Sequence, residues 1–301
     1  MFIASTLKGL EKICCQEVNG KKIVDCRVKF EKKQEVRSAL VVYEYLADFE
    51  FKTLKDILAK IKKLKIPIKG SFKVECNREG KHKFSSQEVK EEIGGWLYKK
   101  GNKVDLHSPE TIVYLDVVDN HCFTGLNPEN VGKRAYRIRG SRQALNATIA
   151  YSLLKVAGYK KEMTLVDTFC GDGVILIEAG LLGGKKLHGL AEYLQNVKIN
   201  SHLAGVKINL HKEKPEFLSG LFHENEVDLI ITQPPFYDVA GINEMFAQAR
   251  NLLREKGKIL VISDKMEMIE KIAEKQGFKG KKEVEIVNGD LCYVVKSFKK
   301  D

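Results

Sequence analysis

The run Val166-Asp167-Thr168-Phe169-Cys170-Gly171-Asp172-Gly173 leaves an apolar strand through a glycine-rich turn, and the apolar run from Val227 to Thr232 passes straight into Gln233-Pro234-Pro235-Phe236. Each reads as a strand that ends in a loop and is followed by helical spacing. Outward from these two runs the pattern alternates. The expected order is helix 144–157, strand 163–167, helix 174–182, strand 186–190, helix 193–204 and strand 206–210. A short helix near Phe217, strand 227–232, helix 242–254, strand 258–263 and helix 266–276 follow. Strands 284–287 and 291–297 flank Asn288-Gly289, a hairpin signal. Strands alternating with helices imply an α/β, mostly parallel, doubly wound sheet, here closed by an antiparallel edge hairpin.

The first half has a different rhythm. Residues 2–5, 23–30 and 36–43 read as strands, and 9–18 has helical spacing through Leu10, Ile13, Cys14 and Val18. Thr53 opens a helix with Leu54, Ile57, Leu58, Ile61 and Leu64 on one face, which Pro67 stops. Strand 71–76, helix 86–97 and strands 111–118 and 121–126, joined at Asp119-Asn120, make a second α/β piece. From Asn127 to Gln143 the apolar periodicity fails, and Lys133, Arg134, Arg137, Arg139 and Arg142 crowd around Tyr136 as in a solvated connector. The expected division is therefore 1–46, 47–126, a linker at 127–143, and 144–301.

Size and charge agree with several domains. A chain of 301 residues is long for a single core. Its formal net charge is +11, almost all of it carried by residues 1–145. A basic excess confined to one half suits a phosphate-binding module joined to a near-neutral catalytic one, because Lys and Arg gain affinity by displacing counterions. Seven cysteines, without C-x-x-C spacing, point to reduced thiols and a cytoplasmic setting rather than to a metal site. No signal-peptide layout and no apolar run of membrane-spanning length is present, so a soluble protein is expected.

In an open parallel sheet, ligands bind beyond the carboxyl ends of the strands. Gly171 and Gly173 let the backbone approach a ligand, and the helix that follows offers unpaired N–H groups to a carboxylate. Asp167 is placed to bond an ammonium group or a structured water. A dinucleotide fingerprint would need a third glycine where Leu176 stands, which disfavours NAD. Glu192, just past the next strand, is the candidate for the ribose hydroxyls. Gln233 and Pro234 supply carbonyl acceptors for an exocyclic amine, whose lone pair they would localise for in-line attack on a methyl sulfonium. Pro235 holds residue 234 extended, and Phe236 offers a ring for stacking. Positioning rather than acid-base chemistry would carry the rate.

With these residues in place, the chain resembles the THUMP-domain RNA methyltransferases, most closely the tRNA guanine-N2 methyltransferases of archaea and eukaryotes. Ala4-Ser5-Thr6-Leu7-Lys8-Gly9-Leu10-Glu11 is similar to the start of that family's ferredoxin-like domain. Gly80-Lys81-His82-Lys83-Phe84-Ser85-Ser86-Gln87-Glu88-Val89, with Ile93-Gly94, Val104-Asp105-Leu106 and Pro109, is similar to the THUMP signature. Lys133-Arg134-Ala135-Tyr136-Arg137 resembles the connector, and Asp167 to Gly173 with Ile175-Leu176-Ile177-Glu178-Ala179 resembles the first methyltransferase motif.

The resemblance implies a ferredoxin-like piece, a THUMP domain gripping the acceptor-stem end of tRNA, and a Rossmann-like domain that methylates a guanine. S-adenosyl-L-methionine is the implied donor, held by Asp167, Phe169, Gly171, Gly173 and Glu192. Gln233, Pro234 and Phe236 are the implied catalytic residues. Lys81, Lys83, Ser85, Ser86, Arg134 and Arg137 are the expected RNA contacts, with His82 nearby. A monomer is expected, with room for a small activating partner. The chain departs from the family at Gln233, where Asn or Asp is usual, at Tyr237, where Gly is usual, and at Ala191, where the ribose acid would stand. The acid near the adenine falls to Glu213 or Glu216. A second reading keeps the tRNA-binding scaffold without turnover.

Overall fold

The computed structural model describes residues 1–140 and 144–301; Arg142, expected in the basic connector, lies outside the described residues. The first elements are β1 (Phe2–Ser5), α1 (Glu11–Val18), β2 (Lys21–Val24), β3 (Arg27–Phe30) and β4 (Val41–Glu50). Next come α2 (Leu54–Ile61), β5 (Ser71–Glu79), α3 (Ser86–Lys99), β6 (Lys103–Val104), β7 (Thr111–Val118) and β8 (His121–Glu129). The second half runs α4 (Ala147–Val156), β9 (Leu165–Asp167), α5 (Val174–Leu181), β10 (Leu187–Leu190), α6 (Gln195–Leu203) and β11 (Asn209–His211). After a short 3-10 helix, Pro215–Gly220, follow β12 (Val227–Thr232), α7 (Val239–Leu252), β13 (Leu253–Ser263), α8 (Met266–Lys275), β14 (Phe278–Asn288) and β15 (Leu291–Lys300).

Contacts divide the chain into two compact units that do not follow chain order. One comprises Met1–Ser5, Arg27–Glu35 and Val41–Asn130; the other comprises Thr6–Cys26, Val36–Leu40 and Val131–Asp301.

In the first unit the strands run β3-β1-β4-β8-β7-β5-β6. The helices α2 and α3 bring Ile57, Ile61, Val89, Ile93 and Leu97 into a core with Phe72 and Val113. Both helices start with a reciprocal cap, Thr53 with Asp56 and Ser85 with Glu88, which satisfies backbone N–H groups that the helix itself leaves unpaired. Arg27 is wholly buried between strands and survives there because Asp116 accepts from its Nη2 at 2.7 Å and Glu79 accepts at 2.7 Å. The strand expected over 23–30 is broken into β2 and β3 at Cys26, whose φ of 61° is left-handed.

The second unit is built on the order β11-β10-β9-β12-β13-β15-β14. The first five strands in that order are parallel; β15 runs antiparallel to β13, and the edge strand β14 runs antiparallel to β15. The order reverses between β9 and β12, so a crevice opens at the carboxyl ends of those two strands. Helix α1 and the turn before it belong to this unit: Ile13 of the helix, with Leu7 and Leu10 ahead of it, joins Leu153 and Ile286 in its core. Residues 36–40, expected as the start of a strand, also belong here. Thr6 Oγ1 donates to the Ser38 carbonyl at 2.5 Å, and Thr148 Oγ1 donates to the Ala39 carbonyl at 3.1 Å.

Charge, rather than apolar surface, holds residues 131–140 to this unit. Glu178, fully buried on α5, accepts from Arg37 Nε at 3.0 Å, Arg134 Nε at 3.0 Å and Tyr136 Oη at 2.8 Å. A buried carboxylate is tolerable only when its charge is met in this way. The stretch is therefore packed, not the solvated connector that its composition suggests. Removing one member of a buried ion cluster strands the others, so Glu178→Ala should cost about 3–5 kcal/mol. A fall of that size in unfolding free energy, read from the urea midpoint, is the expected outcome.

Candidate active site

Each loop at the crevice is fixed by its own sequence. Leaving β9, Gly171 takes φ 51° and Gly173 takes φ 79°, backbone that other residues rarely adopt. A side chain at Gly173 would also overlap Val197, whereas one at Gly171 would meet almost nothing. Gly173 thus closes the turn onto the sheet, and Gly171 leaves backbone bare toward the cleft. Leaving β12, Pro234 is buried and Pro235 offers its carbonyl to the Asp238 N–H at 3.1 Å. Asp238 in turn caps α7 by accepting from the Gly241 N–H at 2.9 Å. This turn leaves Phe236 and Tyr237 on the surface, 52% and 70% exposed, packed edge to face with their rings 5.7 Å apart.

One hydrogen bond ties the two loops together. Thr232 Oγ1 donates to Asp167 Oδ1 at 2.7 Å, and the Phe169 N–H donates to the same oxygen at 3.3 Å. Asp167 is 2% exposed, and burial pushes its carboxyl up to about 7; the two donors pull it down and the charge of Asp172 adds to the rise. Asp172 is also raised, chiefly by burial, against the pull of Arg137, whose Nη2 lies 3.1 Å away.

Both loops open on one cavity of about 930 Å³, in the range of small-molecule and cofactor sites. Of the residues expected to hold the donor, Asp167, Phe169, Gly171 and Glu192 line it; Gly173 does not, though its neighbours Asp172 and Val174 do. Gln233, Pro234 and Phe236 line it from the other loop. Glu192 is exposed at the rim, with Lys214 Nζ at 3.4 Å; Glu213 and Glu216 line the same side. A carboxylate buried at the cleft, whose hydrogen bonds come from neutral donors, fits an ammonium-bearing ligand. Acids at the rim fit hydroxyl groups, so these residues suit S-adenosylmethionine.

The expected RNA contacts divide between the units. Lys81 and Lys83 are exposed on the loop entering α3. Ser85 is occupied by its cap, accepting from the Glu88 N–H at 3.1 Å, and Ser86 begins the helix. His82 stacks on Phe51 with ring centres 5.7 Å apart, and its Nδ1 lies 3.0 Å from Arg78. Arg134 and Arg137 have protein partners, Glu178 and Asp172, and the Arg134 side chain is only 9% exposed. Their observed role is to hold residues 131–140 in place. Sequence reasoning missed several residues of the site, Thr232 and Tyr293 among them. Thr232 was signalled by a hydroxyl at the last position of an otherwise apolar strand, whereas Tyr293 carried no local signal. Among the described residues no group of three or more acids, histidines or cysteines could hold a metal, and no helix is long and apolar enough to cross a membrane.

A reversed parallel sheet with its ligand cleft at the switch point is the fold of S-adenosylmethionine-dependent methyltransferases. Residues 134–294 match the family described as the RMKL-like methyltransferase domain, and residues 50–127 match the THUMP domain. The chain belongs to that methyltransferase family and carries a THUMP domain. It is 25% identical to a tRNA (guanine(6)-N2)-methyltransferase of Archaeoglobus fulgidus, over 92% of this chain and 86% of the relative. In fold it is similar to TrmN of Thermus thermophilus, with TM-score 0.80, 23% identity and coverage of 100% and 99% of the two chains. It is similar as well to SMU.472, a putative methyltransferase solved in complex with SAH, with TM-score 0.78, 15% identity and coverage of 100% and 98%.

Thr232→Val should show how much the bond between the loops is worth. The folded carboxyl of Asp167 titrates near 7, above its unfolded value, so the ionised form is disfavoured in the native state. The stability this group contributes is therefore complete at acid pH and declines as pH rises through about 7. Loss of a donor to the ionised carboxylate should cost about 1.5–3 kcal/mol above that pH, and visibly less below it. Denaturant midpoints of the variant and the parent, taken across pH, test this; a pH-independent difference would remove Asp167 from the account.

Proposed function

We propose that this protein transfers a methyl group from S-adenosylmethionine to the exocyclic N2 of a guanine in tRNA. The observation that carries the reading is the Thr232–Asp167 bond, which seats the glycine turn and the Gln233-Pro234-Pro235-Phe236 turn on one cleft. Asp167, Phe169, Gly171, Gly173 and Glu192 hold the donor. When bound, the donor supplies a methyl group on a positively charged sulfur. The guanine amine is a weak nucleophile because its lone pair is delocalised into the ring. The Gln233 side-chain carbonyl and the Pro234 backbone carbonyl accept its two hydrogens and turn the lone pair toward the methyl group. Phe236, exposed at the cleft mouth, offers a face on which a flipped-out base stacks. Water is the only base needed for the proton that leaves.

Substrate binding falls to the first unit. The THUMP domain presents Lys81 and Lys83 to the phosphates at the acceptor-stem end, and the basic first half of the chain steers the tRNA. Residues 47–126, with the strands β1, β3 and β4 that join their sheet, act as the gripping module, and 144–301, with α1 in its core, as the catalytic one. The working form is a monomer in the cytoplasm, where seven cysteines without a disulfide are at home.

Incubation with methyl-labelled donor and unmodified homologous tRNA, followed by nucleoside mapping, should yield N2-methylguanosine, and the map decides whether position 6 is the target, as in the Archaeoglobus relative's name. Gln233→Ala should lower kcat on the order of 100-fold, as loss of one preorganised hydrogen-bonding group does elsewhere. Donor binding by a folded protein without product on any tRNA would favour the noncatalytic reading instead. Lys81→Ala/Lys83→Ala should raise KM for tRNA at unchanged kcat and reduce the slope of log KM against log salt by about 2.

A further inference from the structure

One buried side chain joins the glycine turn to a segment outside the cleft. Asn200 lies on α6 and is fully buried. Its Oδ1 accepts from the Arg139 N–H at 3.1 Å, and its Nδ2 donates to the Arg139 carbonyl at 2.7 Å and to the Asp172 carbonyl at 3.2 Å. Both amide hydrogens are therefore used, and the reverse orientation would set Nδ2 against an N–H and Oδ1 against two carbonyls. From the same segment Arg137 reaches the Asp172 side chain, with Nε 3.2 Å and Nη2 3.1 Å from Oδ2. Gly171 and Asp172 line the cleft, whereas residues 137–140 do not.

We infer that Asn200, assisted by Arg137, is a positioning residue for the methyl donor: it ties the glycine turn to residues 137–139 and so holds in one conformation the backbone on which S-adenosylmethionine sits. This inference rests on the donor seat proposed above and is independent of which acceptor is methylated. Its physical need comes from the turn. Gly171 and Gly173 let the backbone approach a ligand, but glycine also has the most conformational freedom to lose. The peptide between Asp172 and Gly173 is held on both sides: its N–H donates to the Cys170 carbonyl at 2.7 Å, and its carbonyl accepts from Asn200. With that peptide held and the Asp172 side chain drawn to Arg137, the turn has its binding shape before the ligand arrives. A ligand that need not order its own seat binds more tightly.

Packing alone does not call for this residue, since an apolar side chain would fill the same place on α6 without burying an amide. The two bonds to Arg139 satisfy backbone groups of a segment that belongs to no sheet. The third bond is the one that reaches the cleft, and it makes the two regions depend on each other. Whatever orders the turn also favours the bonded state of residues 137–139, and the reverse holds to the same extent.

The test is donor-site affinity, measured by calorimetry with S-adenosylhomocysteine. Asn200→Ala should raise Kd about tenfold, the worth of roughly one hydrogen bond. Arg137→Met keeps the length of a partly exposed side chain, releases Asp172 from the other side, and should move Kd in the same direction. A second readout needs no variant: in the parent, saturating S-adenosylhomocysteine should slow hydrogen exchange at the Arg139 amide by about the same factor. If Asn200→Ala does not fold, Arg137→Met and the exchange measurement decide. A lowered urea midpoint with unchanged Kd in either variant, or Arg139 exchange that the ligand leaves unmoved, would overturn the inference while leaving the donor seat intact. A folded parent that binds no S-adenosylhomocysteine overturns the seat and this inference together.

Discussion

A single hydrogen bond from a threonine hydroxyl to a buried carboxylate governs the geometry of the site. Strands β9 and β12 are neighbours at the point where the strand order reverses, and each ends in a loop that by itself has no fixed relation to the other. Asp167 and Thr232 are the residues at those two ends, and their contact at 2.7 Å converts two flexible exits into one wall. Burial makes the bond stronger and the carboxylate less comfortable at once, because a low-dielectric setting amplifies a satisfied hydrogen bond and penalises an unmet charge. The result is an acid whose titration lies within the physiological range and whose strongest unmet demand is a cation.

Much of the fold was legible because periodicity and punctuation are local. The bounds of β12 coincide with the expected strand, and the hairpin at Asn288-Gly289 has the expected antiparallel sense. Its strands are longer than their apolar patterns suggested. Lys279, Lys281 and Lys282 extend β14 at the open edge of the sheet, where charge protects against pairing with another chain and so hides a strand from a hydrophobicity reading. The two loops at the cleft were legible for a further reason: each is one contiguous stretch of sequence.

Features that depend on long-range contact were not legible. Leu10, Ile13, Cys14 and Val18 mark an amphipathic helix equally well whichever core it enters, so the sequence did not reveal that α1 serves the second unit. Tyr293 lies within an ordinary β pattern, and its place at the cleft follows only from the direction in which β15 runs. The basic residues around Tyr136 are the reverse case. Charge near an aromatic ring looks solvated, yet Arg134 and Tyr136 converge on Glu178. The clue was a lone acid within Ile175-Leu176-Ile177-Glu178-Ala179, since an unpaired carboxylate does not belong in an apolar helix.

The contact between Lys8 and Val287 has a bearing on how the molecule is made. Its two members are separated by nearly the entire polypeptide, and the helix beginning at Glu11 packs in a core that Ile286 completes. During synthesis the segment that holds Lys8 therefore emerges long before the strand at Ile286 that covers it. Its apolar face must wait through most of translation, and native topology of this kind favours slow, late consolidation. The second unit is thus completed by segments far apart in sequence, and the order in which they leave the ribosome differs from the order in which they assemble.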